Sequence, residues 1–223
     1  MAYELVFAFT WVLLAGLLGL FTSAVFSGRM KMPRNRFLVP YVIFAGIFLL
    51  GFFYFDSIDL IGLLLQNWFY GVIAGVIVGA ILTRNVMSQS SSSSPSDRNL
   101  VMDIIWLGLI YGLIDSLLLN VMPVIAVWNV FSQIGLLSTW TWQLLVVVLG
   151  LGASLLVTLL YHLGYTEFRN KKVGFVLIGN SIITLAYLLS TNPFGAILSH
   201  IIMHIAAVIR GPETTIQLPP HYF

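Results

Sequence analysis

The chain contains no cysteine, which excludes a disulfide framework, a thiolate nucleophile and a thiolate metal site, and leaves the redox compartment unmarked. Charge is nearly as scarce. Only 8% of the 223 residues are Asp, Glu, Lys or Arg, against about 25% in soluble domains. The formal net charge of +2 comes with no basic stripe interleaved with aromatics, so nothing points to nucleic acid. Any metal would have to be held by imidazole, carboxylate or carbonyl groups.

Apolar residues fill the gap: 59% of the chain is hydrophobic and its mean hydropathy is +0.99. That balance describes an integral membrane protein whose first partner is the lipid bilayer. At about 20 apolar residues per crossing, the pattern predicts spans near 4–27, 37–55, 60–83, 100–126, 142–163, 173–191 and 194–209. The opening "MAYELVFAFTWVLLAGLLGLFTSAVF" lacks a basic n-region and a small-residue cleavage site, so it reads as a retained first helix rather than a leader. Pro123 predicts a tilt or break of the fourth span near Asn120–Pro123, because proline cannot complete the backbone ladder.

The basic residues order these spans. Arg29, Lys31, Arg34 and Arg36 follow span one, Arg84 and Arg98 follow three, Arg169, Lys171 and Lys172 follow five, and Arg210 follows seven. All ten fall on one side, while Glu4, Asp56 and Asp59 fall on the other. The positive-inside rule then expects an all-α, polytopic bundle of seven transmembrane helices, N-terminus outside and C-terminus cytoplasmic, in the plasma membrane. We read residues 1–223 as a single transmembrane domain: three leading helices (1–83), a Ser-rich cytoplasmic linker (84–99), a four-helix part bearing the site (100–210) and a tail (211–223).

Polar groups in lipid are costly unless they turn inward to partners, so the informative positions are those sharing a helical stripe. Asn67, Gly71, Gly75 and Gly79 recur at i+4, a small-residue ridge that admits a neighbouring backbone. Gly108, Gly112 and Asp115 put a carboxylate on such a face. Gly150, Ser154, Thr158 and His162 form a third stripe, and Asn180, Thr184, Tyr187 and Thr191 a fourth. In the last span "SHIIMH" places His200 and His204 roughly 40° apart on one face. The pair lacks the glutamate of an HExxH helix, but neutral imidazoles ligate metals and move protons near neutral pH, and Asp115 and His162 keep them company.

The order of these residues resembles the CPBP family of intramembrane proteases, which includes the type II CAAX prenyl endopeptidases and bacteriocin-processing or immunity proteins. That family carries EExxxR, FxxxH and HxxxN motifs; the corresponding strings here are "DSLLLN" (115–120), "TLLYH" (158–162) and "HIIMH" (200–204). The resemblance covers roughly residues 100–210. It implies a membrane-embedded metalloprotease-like hydrolase in which Asp115 activates water and His162 and His200 bind metal or hold that water. His204 stands for the oxyanion-stabilising asparagine. Ser116 replaces the second glutamate, Asn120 the arginine and Thr158 the phenylalanine, departures that imply an altered or lost activity.

The catalytic set expected on this reading is Asp115, His162, His200 and His204. A divalent metal such as zinc would sit on His162, His200 and His204, and the substrate would be a membrane-associated peptide. Depth agrees for two of them: His200 lies roughly 9 Å, and Asp115 roughly 8 to 14 Å, inside the outer ends of their spans if the fourth helix breaks at Asn120–Pro123. His162, counted from Trp142, lies about 30 Å down, near the cytoplasmic face. The tail "RGPETTIQLPPHYF" is either a ragged terminus or a segment folded under the bundle that brings Glu213 or His221 to its mouth. Two other functions stay open on the sequence: a non-enzymatic protein binding a metal, haem, proton or small ligand for transport, sensing or immunity, and a scaffold whose polar stripes only lock helices together.

Overall fold

The computed structural model describes residues 2–91, 99–211 and 213–221, without the side chains of residues 2 and 3. Most of the predicted linker, at 92–98, and Pro212, Tyr222 and Phe223 of the tail lie outside the described residues. The architecture is all-helical, with no strand among the described residues. Six helices are long and apolar enough to cross a membrane: α1 (Glu4–Arg29), α2 (Arg34–Phe55), α3 (Trp68–Met87), α4 (Leu100–Gln133), α5 (Trp140–Gly164) and α6 (Lys172–Ser190). The last, α7 (Phe194–Arg210), has 17 residues, or about 25 Å against a hydrocarbon core of about 30 Å. These helices make the chain an integral membrane protein.

Two predicted boundaries move, each for a local reason. The third span, expected over 60–83, is two helices. A short one, Leu60–Leu65, is capped by the Asp59 carboxylate accepting from the Gly62 amide at 3.0 Å. The chain then turns at Asn67, whose φ of 55° is the left-handed conformation that asparagine tolerates, before α3 begins. The fourth span does not break at Asn120–Pro123 but runs on to Gln133. Its backbone ladder widens to π-type turns over Ile104–Ile110 and Leu117–Val121, with Tyr111 N–H donating to Trp106 O and Met122 N–H to Leu117 O, five residues back. Pro123 falls in the first turn after the second widening, where its missing N–H costs least.

Helix α7 is wedged between two glycine faces. The α3 ridge meets it directly: a Cβ at Gly75 would lie 2.6 Å from the Phe194 carbonyl oxygen, and one at Gly79 would lie 2.8 Å from Ile202. At Gly71 it would collide with Asn192. Asn192 is the hinge of this packing, its amide donating to the Leu63, Leu64 and Gln66 carbonyls while its oxygen accepts from the Phe194 N–H. On the other flank, α4 comes close through Gly108, whose Cβ would meet Ile205 at 2.8 Å, and Gly112, whose Cβ would meet the Ile201 Cα at 3.0 Å.

The tail folds back under the bundle. Arg34 Nε donates to Leu218 O at 2.5 Å, Tyr111 Oη to Pro219 O at 3.3 Å, and Gln89 binds Ile216 and Gln217. Arg210 Nε reaches Gln89 O at 2.7 Å, so this end of the molecule gathers basic residues. His221 lies 2.8 Å from Glu167, and the tail residues that line the cavity described below are Thr214, Ile216 and Gln217 rather than Glu213 or His221. At the opposite end Asp56 accepts from Asn129 at 3.3 Å, and burial raises its carboxyl above the usual range.

The α3–α7 contact gives a stability test. Gly75→Val should lower bundle stability by about 1 to 3 kcal/mol, the cost of overpacking against a backbone that cannot yield. Gly46→Ala, where an added Cβ meets nothing within 4 Å, should leave it unchanged. Thermal unfolding in detergent compares the two, and equal melting temperatures would contradict the packing account.

A candidate metal centre

The close approach at Gly112, where an added Cβ would meet Ile201 and His204, brings the polar residues of α4 and α7 face to face. One helical turn beyond Gly112, Asp115 points at α7, where His200 and His204 stand one above the other with ring centroids 4.9 Å apart. All three residues are buried. Asp115 Oδ2 lies 4.0 Å from His200 Nε2 and 3.9 Å from His204 Nε2. One donor atom from each residue falls within 4.8 Å of the others, and the group could hold a metal ion.

The rest of the hydrogen-bond pattern dictates which atoms face the centre. His204 Nδ1 lies 3.2 Å from the Leu107 carbonyl, an acceptor, so Nδ1 carries the proton and Nε2 presents a lone pair. Leu107 belongs to the first π-type stretch of α4, where the loosened ladder offers carbonyls to side chains. His200 Nδ1 lies 3.1 Å from Asn120 Oδ1. That amide orientation follows from its nitrogen, which donates to Asn180 Oδ1 at 2.7 Å and Thr184 Oγ1 at 2.9 Å. Asn180 in turn donates to Ser154, and Ser154 to the Leu119 carbonyl. His200 therefore also turns its Nε2 lone pair inward. Tyr41 Oη donates to Asp115 Oδ1 at 2.5 Å, leaving Oδ2 to face the imidazoles.

Three acceptors thus surround one gap, with no hydrogen bond joining them among the described residues. At 3.9 and 4.0 Å the carboxyl is too far to hand a proton to either ring in a direct hydrogen bond. A cation satisfies all three at once. Zinc binds His nitrogen and carboxylate oxygen at about 2.0 to 2.2 Å, so the side chains need to close by only about an ångström or less. Backbone carbonyl and amide partners on the outer imidazole nitrogens are the arrangement that orients metal-binding histidines.

His162, expected as a ligand, stands apart from this trio. Its Nδ1 lies 2.9 Å from the Thr158 carbonyl of its own helix, so its Nε2 is also an acceptor. It lines the same cavity of about 490 Å³ as Asp115, His200 and His204. The depth mismatch expected for it disappears because α4 runs to Gln133, which sets Asp115 about 27 Å from that end of the helix, at 1.5 Å per residue, rather than 8 to 14 Å. Of the four residues singled out from the sequence, three form the candidate centre and the fourth lines the same cavity.

No family model, characterised protein or solved structure matches the chain. The geometry therefore carries the functional reading alone. It also adds residues that sequence patterns passed over. Tyr41 sits in an aromatic cluster, stacked on Phe37 and Tyr161 with centroids 5.6 and 5.3 Å away, and Tyr111 packs edge-on against His204 at 4.9 Å. Tyr111 is four residues before Asp115, a spacing that could have marked it. Tyr41 carried no such signal, and Asn120 stood only at the position of the family arginine, which gave no hint that it supports His200.

Removing the Asn120 amide tests the outer support. Asn120→Ala strips His200 Nδ1 of its acceptor and should weaken zinc affinity about 10- to 100-fold. Titration against a competing chelator measures it, and an unchanged affinity would contradict a positioning role.

Proposed function

We propose that this protein is a membrane-embedded, metal-dependent hydrolase, a divergent relative of the CPBP-type intramembrane proteases, acting on an acyl or peptide bond at the membrane. The observation that carries the reading is the convergence of Asp115 Oδ2, His200 Nε2 and His204 Nε2, all lone-pair donors, on the wall of a cavity large enough for a substrate. Two imidazoles and a carboxylate suit zinc, with a coordination position left toward the cavity. Bound there, the ion would supply Lewis-acid polarisation and lower the pKa of a bound water.

The chain's own groups divide the remaining work differently from the motif-based expectation. Asp115 becomes a ligand, its charge shared with the Tyr41 phenol. His162, whose Nδ1 is held by the Thr158 carbonyl, would use its Nε2 to accept a proton from water and return it to the leaving group. His204 joins the ligands rather than standing for an oxyanion donor, since its Nδ1 proton is engaged by Leu107. We further propose seven crossings, with α7 and its Asn192 hinge completing the last. Basic residues gather at the end where the tail folds, which supports a cytoplasmic C-terminus, an outside N-terminus and a plasma-membrane location.

A second reading, an ion-binding bundle without turnover, is favoured by one fact: Asp115 is the only carboxylate lining the cavity among the described residues. Elemental analysis and turnover separate the two. The purified protein should carry about one zinc per chain, lost in Asp115→Asn, His200→Ala and His204→Ala. His162→Ala should keep the ion yet lose about 10²- to 10⁴-fold in cleavage of a membrane-anchored, internally quenched peptide library. Zinc retained in all three ligand variants would overturn the site. Zinc bound with no cleavage in the native protein would select the second reading.

A further inference from the structure

The cavity holding Asp115, His200 and His204 has two unlike sides where it reaches the surface. On α6, Phe175 and Ile178 line it and are 67% and 61% exposed, so in a bilayer they face acyl chains. Opposite them, the end of α3 with the residues after it and the tail contribute Asn85, Ser90 and Thr214, exposed polar groups at the basic end of the molecule. The opening therefore straddles the boundary between hydrocarbon and headgroups. A water-soluble solute would have to pass an apolar wall, and a plain hydrocarbon would leave the polar rim unused.

Gly179 lies on the α6 side of this opening. An added Cβ there would meet nothing within 4 Å, so the helix backbone itself forms that stretch of the cavity wall and the space beside it is open. Behind it Leu82, Leu119, Ile183 and Met203 lead to the buried trio, with Thr158 and Asn180 the polar residues beside them. The volume of about 490 Å³ falls within the roughly 300 to 1,000 Å³ of small-ligand sites.

The geometry points to a single-chain acylated amphiphile that enters sideways from the bilayer between α3 and α6. Its chain lies along Phe175, Gly179 and Ile182 and its carbonyl end faces Asp115, His200 and His204. This deepens the hydrolase reading and rests on it for what the carbonyl end meets; the lateral opening itself stands on the cavity's shape. Gly179 is then the residue that gates chain access, since any larger side chain would occupy the lane.

The test uses the full-length protein in phosphatidylcholine vesicles with stearic acid bearing a photoactivatable diazirine on its chain, and peptide mapping of the cross-links. Native protein and Gly174→Trp, a substitution on the same helix where an added Cβ also meets nothing within 4 Å but outside the cavity lining, should label at Leu82, Ile183 and Met203. Gly179→Trp should lose that inner labelling by about tenfold, as an overfilled site does, while lipid-facing Leu189 labels equally in all three. Inner labelling that persists in Gly179→Trp, or that never occurs in the native protein, overturns the proposal. Zinc content of the same samples keeps the two readings apart. Inner labelling without bound zinc leaves the lateral opening standing and removes the metal chemistry, and zinc without inner labelling does the reverse.

Discussion

The close approach of the α7 backbone to its neighbours is the constraint on which the rest depends. Helices in a membrane gain nothing by hiding apolar surface from one another, so packing and interhelical hydrogen bonds must hold them. Here glycines at 75 and 79 on α3 and at 108 and 112 on α4 remove the side chains that would keep α7 at an ordinary distance. Asn192 then anchors its start by satisfying the Leu63, Leu64 and Gln66 carbonyls at the end of the short helix before α3. Without that wedge, His200 and His204 would stand a side chain's length farther from Asp115.

What the wedge brings together would be unfavourable if left alone. A buried polar group without a partner costs about 1 to 3 kcal/mol, and more if charged, yet two imidazole nitrogens and a carboxylate oxygen all turn lone pairs inward. Their outer atoms are committed elsewhere, to Leu107 O, Asn120 Oδ1 and Tyr41 Oη. The Asn120–Asn180–Ser154–Thr184 network ties α4, α5 and α6 into one rigid backing for His200. Such a network fixes side-chain directions before any ligand arrives, which is the property a metal site needs.

Much of this was legible in the sequence, because i+4 stripes report helix faces directly. Gly108, Gly112 and Asp115 faced inward as the spacing implies, the α3 glycine ridge met a neighbour, and the HxxxH pair shared one face. The role of Asn120 was hidden by the backbone. Five residues after Asp115, it would point well away from it on a regular α-helix, and the π-type turn over Leu117–Val121 brings it back over the same face. Periodicity assumes one residue angle throughout and is blind to such a turn. Of the tilt or break expected at Pro123, the break does not occur for the same reason, since widening the ladder accommodates proline without ending the helix. His162 was placed too far from the others because the length of α4 was underestimated, and Tyr41 was one phenol among many until Asp115 lay beside it.

X-ray absorption at the zinc edge of the metal-loaded protein tests the central claim most directly, because it counts the imidazoles around the ion. The account predicts two histidine rings and at least one oxygen at about 2.0 to 2.2 Å, with the oxygen shell altered in Asp115→Asn. A shell containing one imidazole or none, or a third ring recruited from His162, would contradict the arrangement described for α4 and α7.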